Sequence, residues 1–171
     1  VHYQPTVSLS QSALTGAEAL LRWKHPQRGT VPPDEFIPLA ERTGLICDIG
    51  RFVLARACMD AVTWLPEPAF IAVNVSGAEL GEADYIDHVI DALAASGLAA
   101  HRLVLEVTET TLGADADIAI DTLQNLRELG VRVAIDDFGV GYSSLSRLTR
   151  LPVDILKLDR SFVSDLTSAR G

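Results

Sequence analysis

The sequence predicts an α/β fold in which mostly parallel strands form a sheet covered by helices. Two observations support this prediction: strand-like apolar runs alternate with amphipathic helices, and polar side chains recur near the carboxyl ends of several strands. The chain has 171 residues, of which 48% are hydrophobic. This size and apolar content suit one domain with a packed core, and they exclude a disordered chain.

The elements can be assigned in chain order from hydrophobic periodicity. Apolar runs predict strands at residues 2–9, 17–23, 70–76, 103–109, 131–136 and 155–159. Helical spacing and stop signals predict helices at 34–44, 46–65, 86–97 and 119–130, and a further helix from Ser161 onward. In the long helix the predicted core stripe contains Ile49, Phe52, Val53, Ala57, Ala61 and Trp64.

Six such strands fit either an open doubly wound sheet or most of a (β/α)₈ barrel. The open sheet usually has a glycine-rich turn after its first strand, and this sequence has none there. In strand 70–76 one face carries apolar Ile71 and Val73, which suit helix packing, and the other carries Ala72 and Asn74. Strand 103–109 alternates in the same way. Polar side chains at the carboxyl ends of strands favour the barrel, because barrel active sites lie there.

Charge, cysteine content and hydropathy argue against a nucleic-acid-binding, disulfide-bonded or membrane-spanning protein. The net charge of −9 and the pI of about 4.8 argue against binding to long nucleic acid. Cys47 and Cys58 lie in one predicted helix about 16 Å apart, too far for a disulfide. No apolar run approaches the roughly 18 residues of a membrane helix. We therefore expect a cytoplasmic protein with reduced thiols.

Polar side chains lie in or directly after five different predicted strands. They are Glu18, Asn74, Glu106, Asp136 and Lys157, and Asp137 follows Asp136. Carboxylates that converge on one lysine repel one another unless they are protonated or bind a metal. Oxygen ligands suit Mg²⁺ or Mn²⁺, and adjacent aspartates suit two ions that assist phosphoester hydrolysis. The residues alone predict a divalent-metal barrel enzyme, with enolase-like proton abstraction by Lys157 as an alternative.

Five motifs occur in the order found in a known family. They are Glu18-Ala19-Leu20 with Arg22, Asn74-Val75-Ser76, Glu106-Val107-Thr108-Glu109, DDFGVGYSSL at 136–145 and KLDRSF at 157–162. From Tyr3-Gln4-Pro5 to its last residues, the chain closely resembles the EAL domain, the cyclic-di-GMP-specific phosphodiesterase of bacterial second-messenger signalling. The resemblance implies a modified (β/α)₈ TIM-type barrel with an antiparallel first strand. It also implies metal-dependent hydrolysis of cyclic-di-GMP to linear pGpG.

The resemblance further implies a role for each matching residue. One Mg²⁺ or Mn²⁺ ion would be bound by Glu18, Asn74, Glu106 and Asp136, and a second by Asp136 and Asp137. Lys157 would contact the attacking water. The implied catalytic residues are Lys157 and Asp137. The implied substrate contacts are Arg22, whose guanidinium fork suits a phosphate, and Gln4 and Asp159.

The resemblance implies a regulatory loop as well. Glu109 would brace the loop after Asp137, which links dimerisation to metal binding in the family, and Gly139 and Gly141 would give that loop its flexibility. The implied partners are cyclic-di-GMP, a second copy in a homodimer, and upstream sensory or diguanylate cyclase-like domains.

The length of the chain is short for a complete barrel. A barrel of this type needs about 250 residues. We therefore expect residues 1–171 to form a single partial EAL barrel domain with about six of eight strand–helix units, the last two being absent. A non-catalytic cyclic-di-GMP receptor or dimerisation module is the alternative function.

Overall fold

The computed structural model describes residues 1–112, 117–139, 151–159 and 161. Within these residues, six strands form one curled sheet. They are β1 (His2–Ser8), β2 (Ala13–Leu20), β5 (Phe70–Asn74), β6 (Leu103–Thr108), β7 (Arg132–Phe138) and β8 (Ile155–Leu158), and they lie in this spatial order. A separate antiparallel pair is formed by β3 (Trp23–His25) and β4 (Gly29–Val31).

Helices connect and cover the strands. They are α1 (Pro33–Thr43), α2 (Leu45–Trp64), α3 (Gly77–Leu80), α4 (Tyr85–Ser96) and α5 (Asp117–Glu128), with a 3₁₀ turn at Ala100–Arg102. Gly44 and Gly97 end α1 and α4 with φ of 76° and 73°, in the left-handed region that glycine adopts without strain.

The pairing of the strands confirms the predicted fold class. β1 runs antiparallel to β2, and each later neighbour in the sheet is parallel to the one before it. The sheet is thus the curled, partly closed wall of a barrel with one antiparallel first strand, as the resemblance implied.

The two faces of the sheet carry different side chains, as the alternation predicted. The outward residues Ile71, Leu105 and Val133 belong to the large core formed with the helices. On the inward face, a small cluster contains Ala72, Val104 and Ala134, with Phe70 and Ile155 packed against it. These small apolar side chains form a floor inside the barrel, below the polar residues at the carboxyl ends of the strands.

The second strand ends earlier than predicted. β2 stops at Leu20, so the expected strand 17–23 is wrong in its last three residues. Trp23 instead begins β3, and its ring packs edge-on against Phe36 with centroids 5.8 Å apart. This contact with α1 draws the chain away from the sheet after Leu20.

The predicted core stripe of α2 is wrong at its aromatic positions. Phe52 and Trp64 are 58% and 45% exposed. The buried face instead centres on Ala57, Cys58 and Ala61, each 0% exposed, because small side chains let the helix approach the sheet closely.

The cysteines agree with the sequence prediction, since Cys47 and Cys58 are both free. Burial raises the pKa of the Cys58 thiol to about 12, which makes it unreactive at neutral pH. No helix in the described part of the chain has the length and apolarity to cross a bilayer. The predicted helix beyond Ser161 and the motif residues 140–145 lie outside the described residues.

Candidate active site

Four of the predicted residues meet inside the barrel at the carboxyl ends of their strands. Carboxylate oxygens of Glu18 (β2), Glu106 (β6) and Asp136 (β7) all lie within 4.8 Å of one another. The Lys157 ammonium (β8) is 3.2 Å from Glu18 Oε2, 2.5 Å from Glu106 Oε2 and 3.1 Å from Asp136 Oδ2. We call these four residues the acidic cluster.

The register of the sheet places a fifth predicted residue beside this cluster. Asn74 pairs with Glu106 across β5 and β6, so both side chains emerge on the same face at the same height. The Asn74 amide donates a 2.9 Å hydrogen bond from Nδ2 to Glu18 Oε1. Its amide oxygen Oδ1 is a separate acceptor that this bond does not use.

Burial and charge make Glu106 the most perturbed acid of the cluster. Its side chain is 4% exposed. Burial, together with the charges of Glu18 and Asp136, raises the pKa of Glu106 to about 7, because the Lys157 ammonium offsets these effects only in part. Burial disfavours the charged form of Lys157, but its bond to Glu106 and the neighbouring acids outweigh burial and raise the pKa of Lys157. Lys157 is therefore a charged ammonium.

Asp137 stands beside Asp136 near the end of β7. Its φ of 53° lies in the left-handed region, which is uncommon for a residue other than glycine. Its backbone N–H donates to Asp136 Oδ1 at 3.0 Å. Burial and the charges of Asp136 and Asp159 raise the pKa of the Asp137 carboxyl. The charge of Asp136 thus acts on the neighbouring Asp137 carboxyl.

The donor set of the acidic cluster fits a divalent cation. Its donors are carboxylate oxygens, with the amide oxygen of Asn74 beside them, and such oxygens are the ligands of Mg²⁺ and Mn²⁺. Three carboxylates face one ammonium, so the cluster carries more negative charge than Lys157 can neutralise. A divalent cation would remove this excess.

The three predicted substrate residues lie on, or within two residues after, strands β1, β2 and β8. Gln4 lies opposite Glu18 in the antiparallel β1–β2 pair, and residues in such a pair share one face of the sheet. Arg22 lies just after β2, donates from Nη1 to the Leu21 carbonyl at 2.8 Å, and lines a cavity of about 460 Å³ that Asn74 also lines. Asp159 follows β8, and its Oδ1 accepts the Ser161 N–H at 2.9 Å.

Sequence comparison decides the family. Residues 1–171 match the EAL domain over their whole length. This chain belongs to the EAL domain family.

Two curated relatives of this EAL domain come from Pseudomonas aeruginosa. One is named bifunctional diguanylate cyclase/cyclic di-GMP phosphodiesterase MucR and is 47% identical over 169 residues, or 97% of this chain and 25% of the relative. The other is named cyclic di-GMP phosphodiesterase NbdA and is 47% identical over 173 residues, or 99% of this chain and 22% of the relative. The EAL domain chain thus spans about a quarter of the length of these relatives.

Solved structures resemble the fold closely. The MucR phosphodiesterase in complex with cyclic-di-GMP superposes with a TM-score of 0.88 at 47% identity, covering 97% of this chain and 68% of that one. A manganese and cyclic-di-GMP complex of Klebsiella pneumoniae BlrP1 has a TM-score of 0.81 at 30% identity, with coverage of 96% and 41%.

The loop residues of the EAL domain are described only in part. Glu109 follows β6, and its Oε2 is buried with no hydrogen-bond partner in the described part of the chain. Gly139 has a φ of 100°, a conformation that favours glycine. The rest of the loop, including Gly141, lies outside the described residues, so the bracing role of Glu109 stays a prediction.

Sequence reasoning missed one group of residues beside the site. Ser76 and Glu79 form a reciprocal capping box around the first turn of α3, directly after the Asn74 motif. Glu79 is 4% exposed, although charged residues are rarely buried to that extent. The S-x-x-E spacing at 76–79 is a recognised helix-start signal and could have revealed the box.

Proposed function

We propose that this EAL domain hydrolyses cyclic-di-GMP to linear pGpG in a reaction that depends on divalent metal ions. The observation that carries the proposal is the acidic cluster, in which Glu18, Glu106 and Asp136 gather around Lys157 within the barrel. Relatives at 47% identity are named cyclic-di-GMP phosphodiesterases, and this supports the choice of substrate.

The proposed ligands of one Mg²⁺ or Mn²⁺ ion are Glu18, Asn74, Glu106 and Asp136, and those of a second are Asp136 and Asp137. When bound, such ions polarise the phosphoryl group and stabilise the charge on the attacking and leaving oxygens. The oxygen-only donor set and the manganese complex of BlrP1 support this assignment.

Lys157 is the proposed orienting group for the attacking water. An ammonium has three N–H donors, and here they face three carboxylates. Once those carboxylates bind metal, a donor of Lys157 is free to hold the water and stabilise developing charge, which acts mainly along the reaction path. Asp137, beside Asp136, completes the proposed catalytic residues.

The proposed place for the nucleotide is the inner face of the sheet at the acidic cluster. Arg22, just after β2, would pair with a phosphate through its guanidinium fork. Gln4 and Asp159 would contact the ligand from the sides of β1 and β8. The family, the Asp136–Asp137 pair and Arg22 together favour phosphodiester chemistry over enolase-like proton abstraction.

The proposal also covers the organisation of the protein. We propose that residues 1–171 are one partial barrel domain, that two copies form a homodimer, and that the domain works under sensory or diguanylate cyclase-like domains. The name of MucR, which includes a diguanylate cyclase, supports the last point.

Replacing Lys157 tests whether the domain is an enzyme or a receptor. We expect Lys157→Ala to lower cyclic-di-GMP hydrolysis by about 10²-fold or more. Binding, measured with Ca²⁺ in place of Mg²⁺ to suppress hydrolysis, should stay near normal. Lys24→Ala, at an exposed lysine of β3, is the matched control.

Two results would contradict the proposal. Stability and binding that fall together in Lys157→Ala would make Lys157 a structural ion pair, because unpaired buried carboxylates destabilise a fold. Metal-loaded wild type that binds cyclic-di-GMP and never opens it would make the domain a receptor.

A further inference from the structure

The segment after β5 is held by a capping box that the proposed chemistry does not use. Glu79 Oε2 accepts two hydrogen bonds from Ser76, one from the backbone N–H at 2.9 Å and one from Oγ at 2.7 Å. In return, the Glu79 N–H donates to Ser76 Oγ at 3.3 Å. All three bonds lie within the four residues that follow Val75.

Two helices enclose this box. Glu79 is 4% exposed, and Gly50 of α2 lies against its carboxylate so closely that a Cβ at position 50 would overlap it. On the other side, Thr122 Oγ1 of α5 donates to the Leu80 carbonyl at 3.1 Å. The Glu79 carboxylate is therefore held against Gly50 and bonded to the Ser76 backbone, while Gly50, Ser76 and Glu79 also line the cavity described above.

Asn74 lies two residues before the box. The Val75 N–H donates to the Glu106 carbonyl at 2.9 Å, which extends the β5–β6 ladder by one bond. The backbone from Asn74 to Ser76 is thus tied to β6 at one end and to Glu79 at the other. The Asn74 side chain leaves this segment to bond Glu18 at 2.9 Å.

We propose that Glu79, seated against Gly50, is a positioning residue that aims the Asn74 amide at Glu18 and so prepares Asn74 as a metal ligand. Its role in metal binding rests on the function proposed above. The Asn74–Glu18 bond itself belongs to the metal-free protein and can be tested separately.

Because both Ser76 donors go to one oxygen of Glu79, the box needs an acceptor and not a negative charge. The amide oxygen of glutamine can accept the same two bonds. Glu79→Gln should therefore preserve the position of Asn74, whereas Glu79→Ala should lose it. A carboxylate that acted through its charge would fail in both variants.

The first readout uses metal-free protein in EDTA. NMR of the side-chain amide of Asn74, identified by its loss in Asn74→Ala, should show a clear shift in Glu79→Ala and a wild-type position in Glu79→Gln. Ser76→Ala removes the hydrogen bond from Ser76 Oγ to Glu79, and it costs less packing than Glu79→Ala does. It keeps the bond from the Ser76 backbone N–H to Glu79, so it should shift the Asn74 resonance in the same direction but by less, and it supplies the test should Glu79→Ala fail to fold.

The second readout is the affinity for Mn²⁺ by titration calorimetry. Glu79→Ala should weaken it by about 10- to 100-fold, the usual effect of losing a group that orients a metal ligand. Gly50→Ala should also weaken it, because the new methyl group displaces the carboxylate. When Glu79→Ala is already present, adding Gly50→Ala should cause no further loss of Mn²⁺ affinity, since no carboxylate remains to be displaced. Glu35→Ala, which removes an exposed ion pair with Arg28 away from both groups of possible metal ligands, is the control.

The proposal is overturned if folded Glu79→Ala keeps both the Asn74 resonance and the Mn²⁺ affinity of wild type. It is also overturned if Glu79→Gln behaves like Glu79→Ala. Wild type that binds no Mn²⁺ would instead overturn the proposed metal site, and the Asn74 resonance would still decide the positioning role of Glu79.

Discussion

Lys157 is the internal counter-ion of the candidate site. It contacts Glu18, Glu106 and Asp136 at 2.5–3.2 Å, and it cannot neutralise all three. Glu106, the most buried of them, therefore holds its proton more tightly than an ordinary glutamate. The same imbalance that favours a proton on Glu106 at low pH favours a divalent cation at higher pH.

The raised pKa of Glu106 predicts how stability depends on pH in the metal-free protein. Its pKa is about 7 in the folded state against 4.5 for a free side chain, so the folded state binds more protons between these values. The stabilisation is therefore fully present below about pH 4.5 and is lost as the pH rises through about 7. Urea unfolding in EDTA at several pH values should show this loss in wild type and much less of it in Glu106→Gln. Equal pH profiles would mean that Glu106 titrates normally.

Arg22 provides a test of substrate binding that leaves the metal site intact. Arg22→Ala should weaken cyclic-di-GMP binding by roughly 10- to 150-fold, because a desolvated charged contact to phosphate is worth about 1.5–3 kcal/mol. The increase in thermal stability that Mn²⁺ gives should be the same in Arg22→Ala and in wild type. Arg28→Ala is a suitable control, since Arg28 is exposed and pairs with Glu35. Equal affinity in Arg22→Ala and wild type would reduce Arg22 to a packing residue.

At the level of strands and helices, the faces of the strands could be predicted because apolar and polar residues alternate along them. Strands β5 and β6 show period two clearly, so their inward residues, including Asn74 and Glu106, could be placed on one face from the sequence. The exposure of Phe52 in α2 could not be predicted, because periodicity does not say that alanines will pack closest to the sheet. Likewise, the end of β2 depends on the contact of Trp23 with Phe36, which joins distant parts of the chain.

Local sequence also could not reveal why Asn74 is so well placed. In the segment after Asn74, Glu79 packs against Gly50 of α2 and the Leu80 carbonyl accepts a bond from Thr122 of α5, and both partners are far away in the chain. The partners of Lys157 come from three other strands and depend on the curvature of the sheet. The polar residues could thus be named from the sequence, whereas their contacts required the folded structure.

The packing of α5 on the sheet gives a prediction at this scale. Leu123 is 0% exposed in the outer core, so Leu123→Ala should lower the free energy of unfolding by about 2–5 kcal/mol. Ile118, on the same helix, is 67% exposed, and Ile118→Ala should change it by no more than about 0.5 kcal/mol. Urea denaturation measures both. Similar effects of the two variants would contradict the described orientation of α5.

In the molecule as a whole, the apolar core and the candidate site lie on opposite faces of the sheet. Its outer face packs against helices, and its inner face has an apolar floor below the acidic cluster. Within the described residues, β1 and β8 are the outermost strands of the sheet. Leu156 and Leu158 of β8 are 41% and 59% exposed.

Chromatography of the nucleotide after incubation of cyclic-di-GMP with the protein tests the central claim most directly. With Mn²⁺, wild type should convert cyclic-di-GMP to linear pGpG, and EDTA should stop the conversion. Glu106→Gln keeps the shape of the side chain but replaces a charged carboxylate ligand with a neutral amide, and it should reduce the product to background. Hydrolysis at the wild-type rate by Glu106→Gln, or in EDTA, would contradict the assignment of the acidic cluster as the metal centre of this reaction.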